Sequence, residues 1–343
     1  MIEGLDIEQD ELERWLERNV SGFRGLEAVE KFPTGQSNPS YRLRARSGDY
    51  VLRAKPPGKL LKSAHLVERE HRVMAALAGS GVPVPKMLAL ARDENTLIGR
   101  AFFVMEFVEG RIFWDPALPE LDRDQRRAVY DAMNKTLARL HDVDVGQVGL
   151  SEFGKPGNYF RRQTERWSKQ YLAAAKEPRK DLLRVMDWLA KSLPDDDEQV
   201  ALVHGDFRLD NMIFHPQEPE VVALLDWELS TLGHPLADLA YQCAQWRMSH
   251  SGALRGLGGC DRSALGLPDE EEYVAAYCAR RGIGEIENWR FYVAFSLFRF
   301  AAILAGVVRR AMDGNASNPE TARRFGRAIP ELAEMTAKLI EEA

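Results

Sequence analysis

Three oxygen-bearing side chains stand close together in one stretch of the sequence. In LVHGDFRLDNMIF a predicted strand ends at His204, and the loop after it holds Asp206 and Asn211. A predicted two-strand hairpin then leads to Asp226 in VVALLDWE. Carboxylate and amide oxygens are ligands that Mg²⁺ accepts, and a carboxylate can also take a proton from a hydroxyl group. The three residues therefore predict a site where a metal-bound phosphate meets a hydroxyl.

The spacing of these residues indicates phosphoryl transfer from ATP. Asp206 and Asn211 have the D-x-x-x-x-N spacing of a kinase catalytic loop, and Asp226 follows the next hairpin, as a kinase's metal-binding aspartate does. Asp and Asn are also common turn residues, so each one alone would more often close a turn or cap a helix. Together, at these spacings, they favour the catalytic interpretation.

The elements upstream of this segment predict a small sheet. Apolar residues at helical spacing predict a first helix over residues 8–19 and another over 64–77. Turn sequences such as PTGQSN and SGD separate the runs that we interpret as strands. These runs are LEAVEKF, SYRLRAR, YVLRAK, KMLALA and AFFVMEFV.

Beyond Gly110 the apolar period is almost entirely helical. The predicted helices cover residues 123–141, 159–175, 180–191, 236–248, 270–281, 289–312 and 319–342. The predicted fold class is α+β, a two-lobe protein-kinase-like fold. A nucleotide-binding lobe with a five-strand antiparallel sheet and a helix covers residues 1–107, and a mainly helical lobe with the catalytic loop and acceptor site covers 108–343.

Composition argues against several other classes of protein. Lys and Arg number 46 against 52 Asp and Glu, and a net charge of -6 disfavours a nucleic-acid partner. Three cysteines without a C-x-x-C pair suggest neither a disulfide framework nor a zinc site. The acidic N-terminus does not resemble a signal peptide, so we expect a cytoplasmic protein. The apolar run 291–308 is long enough for a bilayer, but Arg299 near its middle favours a buried core helix and no membrane.

The motifs HGDFRLDN, LLDWE and GHPLADLA resemble those of the aminoglycoside phosphotransferase and choline kinase superfamily. The likeness is closest to the branch whose members also occur fused to acyl-CoA dehydrogenases. The resemblance implies that Asp206 is the catalytic base and that Asn211 and Asp226 bind Mg²⁺. It also implies that His204 braces the loop and that Asp238 ties the loop to the next helix.

The resemblance also places the nucleotide in the small lobe. In FPTGQSNPSY the candidates for covering the phosphates are Gly35, Gln36 and Ser37, although this loop could be a simple hairpin turn. The backbone of Glu106 and Val108 is expected to meet the adenine.

An arginine occupies the position where kinases of this type place a lysine on the third strand. In YVLRAK, Arg53 and Lys55 lie on the same face of a strand, so either could reach a phosphate. Glu70 is the expected partner in the following helix, with Glu68 as its neighbour. A planar guanidinium can hold phosphate with two hydrogen bonds, so the change from lysine does not exclude activity.

Basic residues in the helical lobe bear on the acceptor. An aminoglycoside is a polycation, whereas one predicted helix carries Arg162 and Arg166 and another carries Arg299. Most of these charges would be a solvated helix face, but Arg299 lies among apolar residues and needs a partner, either a protein carboxylate or a substrate anion. Glu228 is a further candidate for substrate contact.

Three functions remain open on these observations. The first is an ATP- and Mg²⁺-dependent kinase of a small, anionic hydroxylated metabolite, such as a hydroxy acid or its thioester. The second is an antibiotic kinase of the aminoglycoside type, and the third is a pseudokinase that binds nucleotide without turnover. The sequence leaves the acceptor, the choice between ATP and GTP, and the oligomeric state open.

Overall fold

The computed structural model describes residues 1–33, 38–57, 66–92, 96–313 and 319–342. The chain forms two compact units. The first comprises Met1–Ile112, Val148–Leu150 and Asn211–Ser230, and the second comprises Phe113–Gln147, Ser151–Asp210 and Thr231–Ala343.

The first unit is built on an antiparallel sheet of five strands in the order β1-β2-β3-β5-β4. The strands are β1 Leu26–Lys31, β2 Ser40–Ala45, β3 Gly48–Ala54, β4 Met87–Ala91 and β5 Phe102–Glu106. Helix α1 is Gln9–Asn19 and α2 is Val67–Leu77. Alternate residues of β2, Tyr41 and Leu43, are buried in one apolar core with Leu12 and Leu16 of α1. The predicted five-strand sheet and its helix are confirmed.

A short hairpin also belongs to the first unit. Its strands are β7 Met212–Phe214 and β8 Val221–Leu224, and a 3₁₀ helix, Trp227–Leu229, follows. The hairpin follows the expected lobe boundary at residue 107 in the sequence. It nevertheless belongs to the first unit, to which backbone hydrogen bonds join it. Arg111 and Phe214 exchange two backbone hydrogen bonds of 2.8 Å, and the N–H of Leu224 donates to the carbonyl of Pro83 at 2.8 Å.

The second unit is mainly helical. Strands β6 Ala201–Val203 and β9 Thr231–Gly233 pair antiparallel in it. The helices predicted beyond Gly110 are confirmed to within one residue at each end, while the short helix Arg262–Leu265 and strand β9 were not predicted. Capping boxes at Asp122 and Asp269 start two of the helices where the sequence places them. The helices are α3 Arg123–His141, α4 Tyr159–Ala174, α5 Lys180–Lys191, α6 Leu236–Arg247, α7 Arg262–Leu265, α8 Glu270–Arg281, α9 Trp289–Met312 and α10 Pro319–Glu341.

Helix α9 is the core helix of the second unit. By length and composition it could cross a membrane, the one such helix in the described part of the chain, but 78% of its most apolar stretch is buried inside the protein. It packs against α4, α5, α6 and α10. The interpretation of this apolar run as a core helix is confirmed.

Candidate active site

The loop after β6 is held by a buried carboxylate. Asp238, in the first turn of α6, accepts hydrogen bonds from the backbone N–H of His204 at 2.6 Å and of Gly205 at 2.8 Å. Charged acceptors make the stronger hydrogen bonds, and this one is shielded completely from solvent. The predicted tie between Asp238 and the loop is confirmed, and it determines the path of the chain just before Asp206.

Asp238 is in turn supported by His141 and Tyr277. The His141 ring lies 3.4 Å from an Asp238 oxygen through Nε2 and 2.7 Å from the Tyr277 hydroxyl through Nδ1. Burial lowers the pKa of His141, so its imidazole is neutral at pH 7. Burial alone would raise the pKa of Asp238, but the bond to His141 and the backbone donors hold it below its usual value. Nε2 therefore carries the proton that His141 donates, and Nδ1 accepts from Tyr277.

The Asp206 carboxylate has a defined orientation. Its backbone N–H donates to Nδ1 of His204 at 3.2 Å, the bracing contact expected of that histidine. The hydroxyl of Tyr241 donates to Oδ1 of Asp206 at 2.6 Å, and Nε of Arg208 lies 3.4 Å from the same oxygen. Tyr241 was not predicted as a site residue.

The partner of Arg299 is neither of the two that were expected, a protein carboxylate or a substrate anion. Its Nη2 donates to the carbonyl of Gly205 at 2.7 Å, and its guanidinium lies over the rings of Trp167, at 5.6 Å, and Tyr241, at 5.1 Å. A buried cation is thus satisfied by a carbonyl and two aromatic faces, and no carboxylate within the described ranges pairs with it. Arg299 supports the loop that carries Asp206, and a direct contact with substrate stays a prediction.

In the first unit, Asn211 and Asp226 stand at the open end of the β7–β8 hairpin. The carbonyl of Asn211 accepts the N–H of Leu225 at 2.8 Å, which places Asn211 beside the residue that precedes Asp226. Asp226 has a left-handed backbone, with φ 64° and ψ 60°, a conformation rare outside glycine and often found at functional sites. The structure thus brings together the two residues predicted to bind Mg²⁺. Glu228 lies in the 3₁₀ helix that follows.

Arg53 joins Asp226 to the helix of the sheet unit. Its Nη2 donates to Oδ1 of Asp226 at 2.7 Å, and its Nε lies 3.0 Å from Oε2 of Glu70. Glu70 is buried, and its other oxygen accepts from the amide of Asn38 at 2.6 Å. Glu70 is therefore the partner of Arg53, as expected, and Asn38 is a member of the cluster that was not predicted. Lys55 pairs instead with Glu68, at 2.5 Å.

Helix α2 is also attached to the segment after Asp226. It packs against the 3₁₀ helix Trp227–Leu229, and Nη2 of Arg69 donates to the carbonyl of Ser230 at 3.1 Å. The indole of Trp227 is fully buried and donates to the carbonyl of Leu224 at 2.9 Å. These contacts hold the backbone on both sides of Asp226.

The other predicted nucleotide contacts have the following positions. Gly35, Gln36 and Ser37 lie outside the described residues. Glu106 is the last residue of β5, where its N–H donates to the carbonyl of Lys86 at 3.0 Å and its carboxylate accepts the N–H of Lys86 at 2.9 Å. Val108 follows in a segment without regular structure.

Two predicted acceptor residues lie on α4. The guanidinium of Arg162 donates to the carbonyls of Lys155, at 2.5 Å, and Pro156, at 3.3 Å. The guanidinium of Arg166 lies 5.3 Å from the ring centre of Trp167. No carboxylate of the described residues forms an ion pair with either arginine.

The fold, the catalytic-loop residues of the second unit and the hairpin residues of the first are those of a small-molecule kinase of the phosphotransferase class. The sequence profile of the phosphotransferase enzyme family matches residues 28–292, and the chain belongs to this family. A solved structure of a candidate aminoglycoside phosphotransferase from Ralstonia eutropha is 46% identical, with a TM-score of 0.88 over 98% of this chain and 99% of that one. Spectinomycin phosphotransferase, solved with ADP and spectinomycin, shares the fold at 14% identity, with a TM-score of 0.63 over 96% of this chain and 99% of its own.

Longer proteins contain a similar sequence. Mouse acyl-CoA dehydrogenase family member 10 is 47% identical over 332 residues, which are 96% of this chain and 31% of the mouse protein. The chain spans about a third to under half of the length of the curated relatives it matches. The family, fold class and enzyme class predicted from the motifs are confirmed.

Proposed function

We propose that this chain transfers the γ-phosphoryl group of ATP, with Mg²⁺, to a hydroxyl of a small anionic metabolite, a hydroxy acid or its thioester. The observation that carries the proposal is the pairing of Asn211 with Leu225, which sets an amide and the Asp226 carboxylate at the open end of one hairpin. The ADP found in the spectinomycin phosphotransferase structure supports a nucleotide in this fold.

The donor set fits Mg²⁺. This ion prefers hard oxygen ligands and is usually held by one or two carboxylates together with substrate phosphates. Asn211 and Asp226 supply one amide and one carboxylate oxygen, and among the described residues no group of three or more His, Cys, Asp and Glu could hold a metal without substrate. When bound there, the ion would neutralise charge on the phosphates.

The protein residues then have distinct roles in the proposed reaction. Asp206 orients the acceptor hydroxyl and takes its proton, and His204 and Asp238 hold the loop in position. Arg53, already anchored by Glu70, offers its guanidinium to a phosphate, with Lys55 as the other candidate. Gly35, Gln36 and Ser37 are proposed to cover the phosphates, and the backbone of Glu106 and Val108 to meet the adenine.

Charge on α4 supports an anionic acceptor. Arg162 and Arg166 make contacts with carbonyls and a ring, and neither has an ion pair within the described residues. Such a helix attracts a carboxylate and repels a polycationic antibiotic. The relatives named for acyl-CoA dehydrogenases, in which a similar segment is joined to further sequence, support a hydroxyacyl thioester in particular.

The experiment is a product screen by mass spectrometry. Wild type and Asp206→Asn are incubated with ATP and Mg²⁺ and with short hydroxy acids, their coenzyme A thioesters, or kanamycin. We expect phosphorylated acids or thioesters with the wild type, a loss of about a hundredfold or more in the variant, and no transfer after chelation of the metal.

Two outcomes would contradict the proposal. Phosphorylated kanamycin without phosphorylated acids would favour the antibiotic kinase. A wild type no faster than Asp206→Asn on every acceptor, yet binding ADP in calorimetry, would favour the pseudokinase.

A further inference from the structure

We infer that Arg299 is a positioning residue that fixes the orientation of one peptide group, the group that joins Gly205 to Asp206. This inference rests on the proposed function of Asp206. Its basis is that both polar ends of this peptide are bound within the second unit. The carbonyl of Gly205 accepts a hydrogen bond from Nη2 of Arg299 at 2.7 Å, and the N–H of Asp206 donates to Nδ1 of His204 at 3.2 Å.

The residue before Asp206 does not fix this orientation by itself. Gly205 has a φ of 84°, in the left-handed region that glycine adopts without strain. Because glycine has no Cβ, the peptide that follows it can rotate at little steric cost. Rotation of that peptide changes the φ of Asp206, and φ decides which rotamers the carboxylate can adopt. The contacts at the two ends of the peptide therefore set the conformations open to the Asp206 side chain.

The bond from Arg299 acts on a different peptide from the bonds to Asp238. Asp238 accepts the N–H groups of His204 and Gly205, which belong to the two preceding peptides. Those bonds set the path of the chain up to Gly205, and the bond from Arg299 sets the orientation of the next peptide. A charged donor makes a stronger hydrogen bond than a neutral one, so the carbonyl end of this peptide is held more firmly than its N–H end.

The guanidinium of Arg299 has a defined position from which to donate. The residue is 5% exposed, and its guanidinium lies over the rings of Trp167 on α4 and Tyr241 on α6, 5.6 and 5.1 Å from the ring centres. Aromatic faces attract a cation. A planar guanidinium can face two rings and donate in its own plane, whereas the ammonium of lysine has no such plane. Three helices therefore fix one donor opposite the Gly205 carbonyl.

The test observes this peptide directly. The sequence contains two Gly-Asp pairs, Gly48–Asp49 and Gly205–Asp206, so ¹³C-carbonyl glycine combined with ¹⁵N-aspartate gives coupled NMR signals from two peptides alone. The signal missing from Asp206→Asn is that of Gly205–Asp206, and the other is an internal reference in the first unit. In Arg299→Met we expect the Asp206 amide to exchange its hydrogen about tenfold faster or more, and the Gly205 carbonyl signal to shift, with the reference unchanged.

Two further variants separate the role of Arg299 from general loosening of the second unit. Arg262→Met is the matched control, because the guanidinium of Arg262 also donates to a backbone carbonyl, that of Trp246 at 3.2 Å, and lies 5.2 Å from the ring centre of the same residue. It should leave the Gly205–Asp206 signal unchanged. Arg299→Lys keeps the charge and a donor, so its amide exchange should lie between wild type and Arg299→Met, and it replaces that variant if Arg299→Met does not fold.

Kinetics connect the orientation of the peptide to the reaction. With ATP, Mg²⁺ and water as acceptor, ADP release by Arg299→Met should show a kcat about tenfold below wild type and a KM for ATP within about twofold. Absence of turnover in the wild type would contradict the proposed function and leave the NMR comparison valid, since that comparison needs no turnover. Unchanged amide exchange in the Arg299 variants, equal acceleration in Arg262→Met, or a kcat of Arg299→Met equal to that of an active wild type would overturn the positioning role.

Discussion

A guanidinium nitrogen of Arg53 lies 2.7 Å from the Asp226 carboxylate, although 173 positions of sequence separate the two residues. The same guanidinium reaches Glu70 through Nε. A planar fork can bridge two carboxylates in this way, whereas the ammonium of a lysine is a compact charge on a flexible chain.

Arg53→Lys should therefore weaken nucleotide use while the chain stays folded. We expect KM for ATP to rise about tenfold, with a smaller change in kcat, because the lysine cannot hold Glu70 and face Asp226 together. Steady-state kinetics and ADP calorimetry measure this. Arg42→Lys is the control, since Arg42 pairs with Asp49 at the surface of the neighbouring strand. Unchanged ADP affinity in Arg53→Lys would remove Arg53 from the proposed phosphate contacts.

Glu70→Gln should destabilise the chain. Glu70 is 1% exposed, and its loss leaves the Arg53 cation, 15% exposed, with one carboxylate fewer. Breaking a buried pair in this way costs about 3 kcal/mol of unfolding free energy. Glu68→Gln, which removes the more exposed pair with Lys55, should cost less than about 1 kcal/mol. Urea unfolding of both variants makes the comparison. Equal losses of unfolding free energy would show that burial of Glu70 does not strengthen its ion pair with Arg53.

His141 should make the stability of the wild type depend on pH. Burial holds the pKa of His141 below its ordinary 6.5, so the unfolded chain takes up this proton more readily than the folded one. The stabilising contribution is complete above about pH 6.5 and decreases as the pH falls through the folded pKa. Between about pH 7.5 and 5.5 the wild type should lose more free energy of unfolding than His141→Gln does. Urea unfolding of both proteins at both pH values tests this. Parallel losses would contradict it.

Periodic patterns in the sequence predicted most of the fold. The long helices were found because their apolar residues recur at helical spacing. The structure adds that capping boxes at Asp122 and Asp269 start two of them. The catalytic segment was found because Asp206, Asn211 and Asp226 lie at recognisable spacings within one stretch of the chain. Patterns of this kind are local, so they can be recognised in the sequence without knowledge of the three-dimensional contacts.

Contacts between distant parts of the chain were not predictable in this way. Tyr241 lies on α6, a helix buried on nearly every side, so no polar face singles out its hydroxyl. Asn38 is of a residue type that is common in turns. Only its hydrogen bond to Glu70 shows that it belongs to the Arg53 cluster. The partner of Arg299 is a backbone carbonyl, which leaves no trace in side-chain identity.

The division of the chain affects the order in which the protein can be assembled. The first unit includes Asn211–Ser230, a segment that follows its sheet by about a hundred residues. Cleavage of the chain at one position therefore cannot release that unit intact. During synthesis the five strands leave the ribosome well before Asp226, and contacts of such long sequence separation form slowly. The Arg53 cluster is therefore completed only after Asp226 has been made, long after Arg53 itself.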